Sequence, residues 1–193
     1  MEYRKWIWIE LIGFDNTQPD LGVGEYIERL GFTPEVISLL IYSPDIVHQH
    51  ISTDEEITFS ADYSSYGAHP FNAERDLQYW TNFQLKGLVD SLHKYGVKVL
   101  PSFFSFHGQD YYHKEWFSDH QELFEVHANG QVAGALNPLK RLKDGTPYLD
   151  FLLPKLIETI DYYGFDGWHA ADGWGHPRSA LWFADYSDDM VLR

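Results

Sequence analysis

The chain has 193 residues, no cysteine and a formal net charge of −15, from 29 acidic and 14 basic side chains. The length suits one domain with a proper core, and the charge argues against nucleic acid and anionic membrane surfaces as partners, since both would repel it at long range. The missing thiols exclude disulfides, thiolate zinc sites and cysteine nucleophiles.

The first residues run straight into an apolar stretch, with no signal-peptide core and no transmembrane span. The compartment is therefore open, and is cytoplasmic if Met1 is the true start. Residues 5–12 (Lys-Trp-Ile-Trp-Ile-Glu-Leu-Ile) read as a buried first strand, β-branched and aromatic. Glu10 shares a face with Trp6 and Trp8 near its end. Two readings stand for it: a residue at the mouth of the fold, or a carboxylate held by a distant Arg or Lys. Gly13 to Gly24 is turn-rich, and Glu25 to Leu30 forms a short helix ended by Gly31. The second strand covers 36–42 and closes at Ser43-Pro44. A polar excursion from Asp45 to Phe71 contains His48-Gln-His50, and its length without periodicity suits a functional or mobile segment.

Asn72 can cap a helix reaching about Tyr95, whose apolar stripe is Leu85, Leu88, Val89 and Leu92, with Gly96 at its end. The third strand covers 97–106. Pro101 is awkward inside it, and His107-Gly108 lies where it ends. A second insertion, Gln109 to Thr146, is rich in Tyr, Trp and His. It reads equally as a loop domain leaning over the mouth or as a small packed subdomain. Thr146-Pro147 opens the next helix, with the hydroxyl as cap; Leu149, Leu152, Leu153, Leu156 and Ile160 give it one apolar face, and Pro154 should kink it. The fourth strand covers 165–171, and the tail from His176 is a loop leading into another helix.

Strand and helix alternate throughout, which means a parallel sheet with helical crossovers. The expected fold is α/β, the N-terminal half of a (β/α)8 TIM barrel, with long insertions after strands 2 and 3; a doubly wound open sheet is the alternative, though no Gly-rich phosphate loop follows the first strand. Complete barrels take roughly 250 residues, so the expectation is a partial catalytic domain over 1–193 with the remainder beyond 193.

Chemistry concentrates in Tyr163-Gly-Phe-Asp-Gly-Trp-His-Ala-Ala-Asp-Gly-Trp-Gly175, where a strand opens into a loop. Carboxylates, imidazoles and indoles crowd together there, as at the C-terminal mouth of a parallel barrel. The overall aromatic content of 17% supplies many rings able to stack on sugar faces.

This stretch resembles the fourth-strand motif of barrel glycoside hydrolases. It is most similar to the family of endo-dextranases and cycloisomaltooligosaccharide glucanotransferases and, more loosely, to the α-amylase superfamily. The clear motif spans about a dozen residues, and the layout spans the chain. The resemblance implies an oligo- or polysaccharide substrate, no cofactor and a two-carboxylate mechanism, with the general acid on the strand after this one, outside this chain. Asp172 is the candidate nucleophile. In those families, however, the nucleophile follows the strand's first Asp by five positions. Here that position is Ala171, and Asp172 comes one later, so either the strand ends or bulges before it or Asp172 has another role. His169 and His107 are candidate hydrogen-bond donors to sugar hydroxyls or, equally, structural histidines. Trp174 is a candidate stacking platform and Trp168 either a platform or core. Asp166 either binds substrate or holds the strand end.

Two rival classes stand beside this reading. One is a metal-dependent amidohydrolase-like barrel using His48 and His50, with His107, His169 or Asp172 completing the site. The other is a carbohydrate-binding barrel that has lost its acid. The favoured reading has no metal, and it makes the chain a glycosidase only as part of a longer parent, inactive alone. The oligomeric state is open.

Overall fold

The structure, a computed structural model, describes residues 5–64, 78–103, 115–171 and 184–191. Its elements are β1 (Trp6–Glu10), α1 (Val23–Leu30), β2 (Val36–Leu40), α2 (Asp45–His48), α3 (Asn82–Lys94), β3 (Lys98–Phe103), α4 (Glu115–Asp119), β4 (Phe124–Val126), β5 (Val132–Leu136), α5 (Tyr148–Tyr163), β6 (His169–Ala170) and α6 (Asp188–Val191). β1, β2, β3 and β6 form a four-stranded sheet in that order, every pair parallel. β4 and β5 form a separate antiparallel hairpin. The chain is thus a mixed α/β fold on a parallel sheet. None of its described helices is long and apolar enough to cross a membrane.

The register explains which side chains are buried. Ile37, Leu39, Val99 and Phe103 point to one face and pack with Leu85, Leu88, Val89 and Leu92 of α3 and Leu152 and Leu156 of α5. The four α3 residues are wholly buried, as the helical spacing of that stripe predicts. Burying each such side chain stabilises the fold by about 1.5–3 kcal/mol.

Several boundaries differ from expectation: β1 ends at Glu10, β2 ends at Leu40, and α1 already starts at Val23. α3 starts at Asn82, because Thr81 completes a capping box. Its Oγ1 accepts from Gln84 N at 3.1 Å, and Gln84 Oε1 accepts from Thr81 N at 3.0 Å. Residues 78–81 precede the helix, with Thr81 bridged to Thr58, and Asn72 lies outside the described residues. α5 begins one residue later than Thr146-Pro147 implies, with Pro147 in the cap position and no side-chain cap. It runs unbroken through Pro154. The amide that proline lacks would bond the carbonyl of Asp150, an exposed residue whose carbonyl water can satisfy.

The fourth strand is the largest departure. Regular pairing covers only His169 and Ala170, although residues 165–171 read as strand. Val99 and Phe103 turn their backbone groups towards β6, and Pro101, midway between them, shares that side without an N–H to offer. At Val99 a side chain replaces the ladder: Asp166 Oδ2 accepts from Val99 N at 2.8 Å, while Asp166 N donates to Val99 O at 2.9 Å. Gly167 then passes so close to β3 that a Cβ there would stand 3.2 Å from the Leu100 side chain. Ladder bonding resumes where Ala171 N donates to Phe103 O at 3.3 Å.

The described part of the second insertion is a packed subdomain. Phe117, Leu123, Phe124 and Leu136 are buried and belong to the main core. The chain beyond β6 is stitched to this hairpin, since Tyr186 N donates to Val126 O at 2.7 Å. The Asp185 carboxylate accepts from Val126 N, Ser187 N and Asn137 Nδ2 at 2.9–3.0 Å. The first insertion is no solvated excursion at its start either. All four residues of α2 are buried. It later returns across the strand ends, where Ser64 O accepts from Ile12 N and Tyr63 O from Tyr42 N.

Candidate functional site

A parallel register places residues of one row side by side. Glu10 is opposite Leu40, Leu40 opposite Ser102, and Ser102 opposite His169, so these four form one row at the C-terminal ends of the strands. The face carrying this row is opposite the one on which α3 and α5 pack. On it, the His169 ring meets the indoles of Trp6 and Trp8 edge-on, at centroid distances of 5.6 and 5.5 Å. Ser102 Oγ lies 3.4 Å from His169 Nδ1. Trp6 Nε1 donates to Ser38 Oγ at 2.7 Å. Ser38 and Ser102 are wholly buried under these rings, while Trp6 and Trp8 remain 58% and 45% exposed. Leu40, Tyr42 and Ala171 make a small apolar cluster of their own.

Among the residues singled out from the sequence, Glu10 and His169 share this row. Trp168, alternating with His169, lies on the opposite face, stacked against Phe103 at 5.7 Å and packed against the main core. Asp166 sits three residues earlier along β3, where it holds Val99 and also accepts from His93 Nε2 at 2.9 Å. Of its two sequence readings, the strand-end role is the one its contacts describe. Asp166→Ala removes both acceptor bonds and should cost about 1–3 kcal/mol. Urea denaturation should show a lower midpoint at unchanged slope; an unchanged midpoint would deny the clamp. His107, Asp172 and Trp174 lie outside the described residues. Ala171 is in a turn, with β6 already ended at Ala170.

His48 and His50 do not form a metal pair. His48 Nδ1 donates to Pro44 O at 2.8 Å, and Nε2 accepts from the Tyr148 hydroxyl at 2.6 Å, so neither nitrogen is left for a cation. His50 turns Nε2 to Ser52 Oγ at 3.2 Å. Among the described residues no group of three His, Asp or Glu could hold a metal. A cavity of about 210 Å³ lies on the helix side, lined by His50, Ser60, Tyr63, Asn82 and Tyr163 among others. None of the row residues lines it.

Sequence reading missed Ser38, Ser102 and the contact of both indoles with His169. The signal was present: a serine interrupts each of two strongly apolar strands, Val-Ile-Ser-Leu-Leu and Leu-Pro-Ser-Phe, and the register sets them on one face two steps apart. Placing them on one face requires the register, which is a tertiary property.

Neither a known family model nor a curated protein sequence matches the chain. Solved structures do match. A noncanonic maltogenic α-amylase from Thermotoga neapolitana superposes at TM-score 0.51 and 16% identity, over 90% of this chain and 40% of its own. An α-amylase from Lactobacillus plantarum gives TM-score 0.51 and 18% identity, over 87% and 38%. A Paenibacillus cycloisomaltooligosaccharide glucanotransferase matches at TM-score 0.45 and 12% identity, over 87% and 23%. The two α-amylases carry the comparison, and at such identities they show a shared fold. The chain spans about two fifths of their length.

Proposed function

We propose that this chain forms the N-terminal half of the catalytic (β/α)8 barrel of a glycoside hydrolase acting on an oligo- or polysaccharide. Asp172 is the nucleophile at the end of the fourth strand, and a general acid is supplied by the next strand of a longer protein. The observation that carries this reading is the row Glu10, Leu40, Ser102 and His169, at the C-terminal ends of four parallel strands and just upstream of Asp172. The end of the barrel where strands finish is where such folds do their chemistry. The turn at Ala171 also supports it, because strict alternation no longer governs a residue that follows a strand's end.

In this reading a sugar lies over the row. His169 has Nδ1 beside the Ser102 hydroxyl, which leaves Nε2 to meet a sugar hydroxyl. His107 is a second donor and Trp174 a stacking face. Asp172 attacks the anomeric carbon or stabilises an oxocarbenium-like state, and the acid protonates the leaving oxygen. In a retaining enzyme the two carboxyl groups stand about 5–5.5 Å apart.

The test is an assay of the 193-residue chain beside a longer protein that continues it, on a panel of α- and β-glucans. The longer protein should hydrolyse at least one, and the chain alone none. A soluble 193-residue monomer that cleaves a glucan would overturn the half-barrel reading. One observation favours a second reading, a carbohydrate-binding barrel without catalysis: the position five after Asp166 holds Ala171, which has no carboxylate. A longer protein that binds glucans and cleaves none would decide for it.

A further inference from the structure

The cavity of about 210 Å³ on the helix side lies between α2, the chain that follows it, the start of α3 and the end of α5. Its inner wall is buried: Ile46, Asn82 and Tyr163 are 2–3% exposed, and His50 is 5% exposed. Ile51 and Ile57 stand exposed at its mouth. Polar groups buried beside so much apolar surface each need a partner, and they can be followed one by one. Asn82 is fully engaged. Its Oδ1 accepts from Ile57 N at 2.8 Å and from Phe83 N at 3.0 Å, and its Nδ2 donates to Glu55 O and to the Tyr162 hydroxyl, both at 3.0 Å.

His50 is engaged on one side only. The Lys155 ammonium beside Glu158 holds that carboxyl below the usual carboxylate range, so it is ionised and can only accept. The Ser52 hydroxyl therefore donates to Glu158 Oε1 at 3.0 Å and accepts from His50 Nε2 at 3.2 Å. That puts the ring proton on Nε2 and leaves Nδ1 as a lone pair. Burial pushes the His50 pKa down; Glu158 opposes this and Lys155 adds to it, and the ring is neutral at pH 7. Burial likewise raises the pKa of Tyr163, whose hydroxyl keeps its proton. Neither His50 Nδ1 nor the Tyr163 hydroxyl has a hydrogen-bond partner among the described residues, and neither is among the polar atoms sealed in the packing without one. Each reaches open space, and the open space that both residues line is this cavity.

We propose that this cavity binds a small neutral ring compound carrying a hydroxyl, a phenol or a cyclic alcohol. A hydroxyl is the smallest group that both donates and accepts, and here it donates to His50 Nδ1 and accepts from Tyr163. The His50 and Tyr163 rings lie 5.6 Å apart between centroids, so the acceptor and the donor serve one region of the cavity. The body of the ligand packs on Ile46, Ile57 and Phe59. An apolar cavity of about 150 Å³ takes up benzene, so this one has room for a single substituted ring. The described lining contains no Lys or Arg, and Asp45 is acidic, which tells against an anion. A pyranose fits poorly, because several of its hydroxyls would face the two isoleucines and Phe59 without partners. The site is separate from the row and stands whether or not the sugar chemistry above does.

The experiment is a nuclear magnetic resonance titration of the 193-residue chain with phenol, read at the backbone amides. The amides of His50, Ile51, Ile57 and Tyr163 should shift together and saturate at millimolar phenol, while that of His169 stays in place. Toluene keeps the ring and lacks the hydroxyl, so it should bind roughly fivefold more weakly, since it leaves both polar atoms unpaired. Tyr163→Phe deletes a hydroxyl that has no partner within the protein, so the fold is kept. It should weaken phenol roughly fivefold and leave toluene unchanged. Benzoate and glucose at the same concentration should move none of the four amides. No saturable shift with phenol, as in a cavity that holds only water, would overturn the proposal. So would shifts centred on His169, equal affinity for phenol and toluene, or a Tyr163→Phe variant that binds phenol as the parent does. Saturating shifts of the four amides with glucose or benzoate would overturn the ligand class. None of these outcomes bears on whether the longer protein cleaves sugar.

Discussion

In a longer enzyme containing this chain, Asp172→Asn should reduce turnover on the order of 10³-fold while sugar affinity stays nearly unchanged. The substitution keeps the shape and most hydrogen-bonding capacity of the side chain. It removes the negative charge that attack on the anomeric carbon requires, or that an oxocarbenium-like state draws on. Such a loss falls on kcat with little change in KM, because the charge matters most in the transition state. Steady-state kinetics of the variant, with binding measured separately, checks both halves. Turnover near that of the parent would remove Asp172 from the reaction. Asp166 is poorly placed to take over, since its carboxylate already accepts from Val99 and His93. Glu10, in the row with His169, would then be the carboxylate to replace next.

The second large effect is on stability, and it comes from acid. His48 is 3% exposed, enclosed by Trp116 at a ring distance of 4.4 Å and by Phe117 at 4.8 Å. Burial pushes its pKa down to about 3. The bond to Pro44 O works against this by favouring the charged ring, and the nearby His120 adds to the depression. An unfolded histidine takes up a proton near its ordinary pKa of about 6.5. The folded ring refuses that proton until the pH is far lower. Its contribution is therefore fully present above about pH 6.5 and is lost as pH falls towards 3, on the order of a few kcal/mol over that window. Urea denaturation between pH 7 and 4 should show a falling midpoint, and His48→Gln should flatten much of that fall. Tyr148→Phe leaves Nε2 buried without its donor and should cost about 1–3 kcal/mol at pH 7. Equal pH dependence in the parent and in His48→Gln would show that other groups govern acid unfolding.

Strand–helix alternation, the stripe of α3 and the end of α5 at Gly164 were legible because each depends on spacing within one turn or one strand. Leu85, Leu88, Val89 and Leu92 repeat at helical intervals whatever surrounds them. Gly164 holds φ at 75°, a conformation that favours glycine, so it marks a helix end by itself. The crowding of polar and aromatic residues after Gly164 likewise needed no structure to be seen.

The roles of those residues were decided elsewhere in the chain. His48-Gln-His50 has the spacing of a ligand pair, yet His48 is bonded to a hydroxyl 100 positions away. Asn72 and Thr81 are both good caps, and Thr81, the one beside the helix, is bridged to Thr58. Residues 165–168 are apolar enough for a strand, but Pro101 on the neighbour offers no donor, and the Asp166 side chain takes the ladder's place at Val99. Trp168 and His169 are adjacent in sequence and on opposite faces. One belongs to the core, and the other meets Trp6 and Trp8 across the sheet. Local spacing tells what a segment forms, because backbone periodicity is short-ranged. Partner identity depends on register and burial, which arise only when distant segments meet.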